Sequence, residues 1–188
     1  EVRLAFHGAK YPLPGKILDT PRWTIDDDQF ALGFSTDRPY QIQGFHSPNL
    51  LAIVSESHGV AQTHIDALKR LNPTKLLLTG NPLSIAGEFY DAFHANAEFY
   101  KTIQVSAFDT PNVKAGQTKI PGLVTLEDVE ERKREWGEGS PLYQASVLGQ
   151  FPDSLEDNLI SRAWVDMAIK AEFTAESPHV LACDVARM

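Results

Sequence analysis

Hydrophobic and polar positions divide the chain near residue 49. In the first 48 residues Pro12, Pro14, Gly15, Pro21, the Asp26-Asp27-Asp28 run, Pro39 and Pro48 interrupt any sustained period, which predicts loops with short strands. From Asn49 the pattern changes. Leu50-Leu51-Ala52-Ile53-Val54 is a continuous apolar run, as in a strand buried on both faces of a parallel sheet. Val60, Ala61, Ile65, Ala67, Leu68 and Leu71 then fall on one helical face, predicting a helix over 60–71 that stops before Asn72-Pro73. A second buried strand is expected at 75–79, running into the Gly80-Asn81-Pro82 turn, with a helix over 87–95 after it. Strand, helix, strand, helix predicts an α/β fold with a parallel sheet.

Further along, Ile103, Val105 and Ala107 alternate with Thr102, Gln104 and Ser106, predicting a third strand over 100–108 before the Asp109-Thr110-Pro111-Asn112 turn. Thr125 with Asp128 is a capping box opening a helix to Trp136, and 140–148 and 161–171 read as two more helices joined by a polar, acidic connector. An apolar strand at 179–183 ends in Asp184. No repeat or low-complexity segment is visible.

Composition narrows the function classes. The chain has 188 residues, 43% hydrophobic and 22% charged, the balance of a globular protein rather than a solvated tail. A net charge of −8, from 25 acidic and 17 basic residues, argues against a DNA-coating module, which needs clustered Lys and Arg. Lys69-Arg70 with Lys75, and Arg132-Lys133-Arg134, read as solvated helix faces. The apolar runs are strand-sized, so no membrane span is expected, and the single Cys183 suits a reducing cytoplasm.

The chemistry concentrates at two strand ends. Nucleotide hydrolases of the P-loop class end one buried strand with Asp then Glu, the first helping to hold Mg²⁺ and the second activating the attacking water. Here Ser55 occupies the Asp position, supplying a hydroxyl without negative charge, and Glu56 keeps the position of the base. Alone, such a pair also fits a strand reaching a solvated turn. One strand–helix unit later come Thr79-Gly80-Asn81, where an amide can sense a γ-phosphate or the attacking water; the plain alternative is a Gly-Asn-Pro turn. Parallel sheets place ligands at the carboxyl ends of their strands, so Glu56 and Thr79, Gly80 and Asn81 are expected to face one crevice.

In order along the chain, Gly44-Phe45-His46, Glu56-Ser57-His58-Gly59-Val60, Thr79-Gly80-Asn81-Pro82, Gly87-Glu88-Phe89-Tyr90, Asp109-Thr110-Pro111-Asn112, Ile120-Pro121-Gly122-Leu123-Val124, Glu135-Trp136-Gly137 and Gly149-Gln150-Phe151-Pro152 resemble the tailed-phage terminase large subunit, an ATP-driven DNA-packaging motor with a nuclease. The resemblance covers about residues 40 to 188. It implies that 1–152 form the later part of a P-loop (ASCE-type) ATPase domain, 153–178 a helical linker, and 179–188 the first strand of a ribonuclease-H-like nuclease. It implies a catalytic role for Glu56, a Walker B aspartate position at Ser55, a coupling motif at Thr79, Gly80 and Asn81, and a first nuclease metal ligand at Asp184. It further implies ATP and Mg²⁺ for the ATPase, Mg²⁺ or Mn²⁺ for the nuclease, and double-stranded viral DNA, the small terminase subunit, the portal protein and further copies of itself as partners in the host cytoplasm.

One departure is large. The phosphate-cradling loop Gly-x4-Gly-Lys-Ser/Thr is missing: Gly8 to Gly15-Lys16-Ile17 has six intervening residues, two of them prolines without amide donors, and offers Ile17 where a hydroxyl is needed. The chain is therefore expected to be a central fragment that begins after that loop and is inactive alone. Alternative readings are a degenerate prophage remnant with a structural or oligomer-forming role, or a fragment of another P-loop motor such as a helicase.

Overall fold

The structure is a computed structural model that describes residues 2–153 and 162–170. The turn-rich start becomes a short helix, α1 (Val2–His7), and an antiparallel meander of β1 (Lys16–Ile17), β2 (Arg22–Thr24) and β3 (Phe30–Leu32). The acidic run makes the β2–β3 turn, because Asp26 Oδ1 accepts hydrogen bonds from the backbone amides of Asp28 at 2.9 Å and Gln29 at 2.7 Å. Gly15-Lys16 leads into a strand rather than a helix. A phosphate loop, by contrast, feeds a helix amino terminus.

β4 (Leu51–Val54) and β5 (Lys75–Leu78) pair in parallel, Leu51 opposite Lys75 and Val54 opposite Leu78, with α2 (Gln62–Arg70) as the crossover between them. The order β4–α2–β5 and its boundaries follow the apolar pattern closely. α2 buries Ile65 and Ala67, and ends at Asn72, whose left-handed backbone (φ 51°) turns the chain before Pro73. One expectation is corrected: β4 is buried on one face only. Ala52 and Val54 are inside, whereas Leu51 is 55% and Ile53 61% exposed, and Leu77 on the same face of β5 is 47% exposed. With two strands, only one face of this sheet is packed among the described residues.

The third strand expected over 100–108 is also corrected. Lys101 to Val105 make no ladder, and residues 107–109 form a 3-10 turn capped by Ser106. Alternation predicts a pleated segment, but a strand needs a partner, and among the described residues none lies beside it. The helix expected over 87–95 is shorter, α3 (Glu88–Asp91).

Beyond the turn lie α4 (Pro111–Ala115), α5 (Leu126–Trp136) and α6 (Pro141–Tyr143), the last continuing into a π turn over Gln144–Leu148. The capping box at the start of α5 forms as its sequence predicts, with Asp128 accepting from the amide and hydroxyl of Thr125, each at 2.8 Å. Those hydrogen bonds, the backbone one foremost, hold the Asp128 carboxyl below its usual range. Val113, Val129, Tyr143 and Val147 make the core of this part. Phe151 is clasped by Phe89, Tyr90, Phe93 and His94, at centroid distances of 5.8, 5.2, 5.3 and 5.4 Å, which pins the connector after the π turn to α3. The helix expected over 161–171 is present as α7 (Arg162–Lys170). Asp184, the strand at 179–183 and most of the expected linker lie outside the described residues.

Candidate functional site at the sheet rim

The parallel pairing of β4 with β5 brings two chain reversals together at the carboxyl ends of the strands. After Val54 the chain passes Ser55 and turns at Glu56 into a 3-10 turn, Ser57–Gly59. Ser57 is buried and serves this reversal: its hydroxyl donates to Val54 O at 2.8 Å, and its amide donates to Thr79 O at 2.9 Å. Thr79 N in turn donates to Val54 O at 2.9 Å, so the ladder continues one residue past β5 and locks the two tips together.

Gly80 sits inside this junction. A Cβ there would meet His58 Nδ1 and Ser57 N, both at 3.1 Å, and Glu56 C at 3.5 Å, so a side chain would press on the neighbouring tip. Glu56 adopts the left-handed conformation (φ 51°, ψ 42°), unusual for a residue with a Cβ and costly by about 1 kcal/mol or more. Its carboxylate is 73% exposed and lies 3.6 Å from His58 Nδ1, a buried nitrogen with no hydrogen-bond partner among the described residues. Asn81 is exposed, its backbone carbonyl accepts the amide of Leu83 at 2.8 Å, and its side-chain amide makes no hydrogen bond among the described residues.

Glu56 and Thr79-Gly80-Asn81 thus stand on adjacent tips of one rim, as the sequence led us to expect. They do not line one crevice. A cleft of about 460 Å³ is bordered by Thr79, Gly80, Asn81 and Pro82, by Leu76 to Leu78, by Tyr100 to Val105 and by Phe151, but not by Ser55 or Glu56. A second, larger cavity of about 620 Å³ lies at the other end of β5, against Lys69, Leu76, Glu88 and Tyr100. Ligands of open parallel sheets sit at the strand carboxyl ends, so the rim carries the functional reading and the larger cavity does not.

That larger cavity holds a residue whose role the sequence did not reveal. Glu88 is buried and accepts hydrogen bonds from Lys69 Nζ at 2.6 Å, Tyr100 OH at 2.6 Å and Gln62 Nε2 at 3.2 Å, while its own amide donates to Gln62 Oε1 at 3.1 Å. Burial alone pushes its carboxyl up; the bonds from Lys69, Tyr100 and Gln62 and the Lys69 charge outweigh this and hold it below the usual range. Tyr100 is driven well above the ordinary phenol value by burial and by the Glu88 charge. The carboxylate accepts three hydrogen bonds, two of them from α2, so the cluster ties α2 to α3 and to Tyr100 beyond it.

The described residues hold no group of three or more His, Cys, Asp or Glu side chains placed to bind a metal. At the rim the oxygen donors are the Ser55 and Thr79 hydroxyls, the Asn81 amide and a single carboxylate, Glu56. Such a set suits Mg²⁺ only as one side of a shell completed by phosphate oxygens and water. Among the described residues no helix is long and apolar enough to cross a membrane.

Comparison with known proteins supports a terminase-related chain. It is 24% identical over 140 residues to "Probable terminase, large subunit" of Enterobacteria phage P7, an alignment covering 69% of this chain and 26% of that protein. The chain thus spans about a quarter of the curated relative it matches. No protein-family model matches it, and no solved structure does.

Proposed function

We propose that this chain is the later part of the ATPase of a phage-type DNA-packaging motor, with Glu56 as the catalytic carboxylate and Thr79, Gly80 and Asn81 as the element that senses the nucleotide. The observation that carries this reading is the rim itself: Ser57 N bonded to Thr79 O at 2.9 Å, so that the acid-bearing and amide-bearing tips are mechanically one unit. The relative named above supports the family; the role of each residue is our inference.

In this reading Glu56 accepts a hydrogen bond from the attacking water and holds its oxygen in line with the γ-phosphorus. Ser55 would hold Mg²⁺ through an intervening water, and the ion would supply neutralisation of phosphate charge. The Asn81 amide donates to the γ-phosphate oxygens. Loss of that phosphate removes the contact, and the change passes along the 80–86 loop to α3 and, through Phe151, to the connector beyond. The left-handed backbone at Glu56 is strain held in place at the position where the chemistry is assigned. The parent motor would act on double-stranded DNA with a small terminase subunit, a portal and further copies of itself; residues 153–178 would link to a nuclease beginning at 179–188, with Asp184 its first metal ligand.

Phosphate cradling is assigned to sequence other than these residues. Titration of the 188-residue chain with ATP and Mg²⁺ is expected to show no micromolar binding, whereas one polypeptide joining it to a Gly-x4-Gly-Lys-Ser/Thr loop binds. Micromolar binding by the chain alone would contradict the assignment.

A further inference from the structure

The turn between β4 and α2 holds one side chain that the nucleotide reading leaves without a task. His58 is 20% exposed, yet its Nδ1 is buried and has no hydrogen-bond partner among the described residues. A buried ring nitrogen without a partner is unfavourable in either tautomer. The oxygen it faces is Oε2 of Glu56 at 3.6 Å, beyond hydrogen-bond length by about half an ångström.

The two side chains are held very differently. His58 sits in backbone tied on both sides: Ser57 N donates to Thr79 O at 2.9 Å, Gly59 N to Glu56 O at 3.0 Å and Val60 N to Ser57 O at 3.3 Å. Its ring also lies against Gly80, where a Cβ would come within 3.1 Å of Nδ1, so the bare backbone there leaves room for that edge of the imidazole. The Glu56 carboxylate, by contrast, is 73% exposed and makes no hydrogen bond among the described residues. A fixed donor beside a free carboxylate sets where that carboxylate points.

We infer that His58 is a positioning residue for Glu56: its Nδ1–H donates to Oε2 and leaves Oε1 to the attacking water. That role rests on the nucleotide reading given above; the contact between the two side chains does not. Rotation about the Glu56 side-chain bonds closes the gap without moving the rim. The carboxylate also selects the tautomer. With the proton on Nε2, two acceptors would face each other, whereas with the proton on Nδ1 a donor meets an acceptor. Holding a glutamate side chain in one rotamer spares freedom it would otherwise lose on reaching the transition state, worth about tenfold in rate.

Two readouts test the contact and the role separately. In the 188-residue chain without nucleotide, nitrogen NMR of labelled histidine at about pH 8, where an ordinary imidazole is neutral, is expected to show His58 protonated on Nδ1, and Glu56→Ala to weaken that preference. Protonation on Nε2 in the parent, or an unchanged tautomer after Glu56→Ala, overturns the contact and the role with it. In the polypeptide that carries the phosphate loop, His58→Leu is expected to lower kcat for ATP about tenfold with KM unchanged, and His58→Asn, whose amide still donates, to stay within about threefold of the parent. A packing role would be served as well by His58→Leu as by His58→Asn. A His58→Leu rate equal to the parent's, or a His58→Asn rate as low as that of His58→Leu, therefore overturns the role. Action through Glu56 has its own signature: in the Glu56→Gln background His58→Leu should cost nothing further, and a second loss of about tenfold there is equally fatal. Parental turnover by Glu56→Gln would remove the nucleotide reading and the role together, while a loss confined to Glu56→Gln would remove the role alone.

Discussion

At the scale of single residues, the fold leans on polar side chains that apolar pattern does not identify. Asn112 is fully buried and makes four hydrogen bonds: its amide donates to Ile120 O and Leu123 O, both at 2.9 Å, and its carbonyl accepts from Lys119 N and Ile120 N, both at 2.8 Å. That uses its full capacity and replaces secondary structure for the 116–124 loop. Asn112→Ala is expected to cost about 3 kcal/mol in denaturant unfolding, because four backbone groups lose their partner at once. Glu88 is the charged counterpart. Its carboxyl titrates below its ordinary value in the folded chain, so its contribution is full above about pH 4.3, the unfolded value, and disappears as pH falls through the lower folded value. Glu88→Gln should therefore lower the melting temperature at pH 7, by an amount equivalent to about 2 kcal/mol, and have less effect near pH 3. Melting curves of both proteins across that range check the sign.

At the scale of elements, legibility followed the range of the interactions that decide each one. β4, α2 and β5 were readable because a strand's run and a helix's period are written within ten or so consecutive residues, and the Thr125–Asp128 box because its two partners are three apart. Residues 100–108 misled because alternation records a segment's readiness to pair, while pairing needs a neighbour far along the chain. Glu88 was hidden for the same reason, its Gln62 partner being 26 residues away. The rim was legible as two adjacent tips, since parallel topology requires it; that Glu56 stands outside the cleft depends on the left-handed turn at that residue, which its sequence does not announce. Gly149 shows what joins the elements. It is left-handed (φ 63°), and a Cβ would fall 2.5 Å from Val105 O, so the end of the π turn fits only against bare backbone. Gly149→Ala is expected to cost at least about 2 kcal/mol in equilibrium unfolding, from left-handed strain plus the clash.

At the scale of the whole molecule, the described residues form a two-stranded parallel sheet with one packed face and a hydrogen-bonded rim, the features on which the proposed nucleotide-handling role rests. The helices after residue 107 have their own core and cap, and hold the far wall of the cleft and the connector in position. The claim on which the account turns is that Glu56 performs the chemistry of ATP hydrolysis at this rim. Steady-state turnover and nucleotide affinity, measured on Glu56→Gln and its parent in one polypeptide that carries the phosphate loop, test it most directly. The account predicts a fall in kcat of about a thousandfold with nucleotide affinity unchanged. Turnover persisting at the parental rate would contradict it.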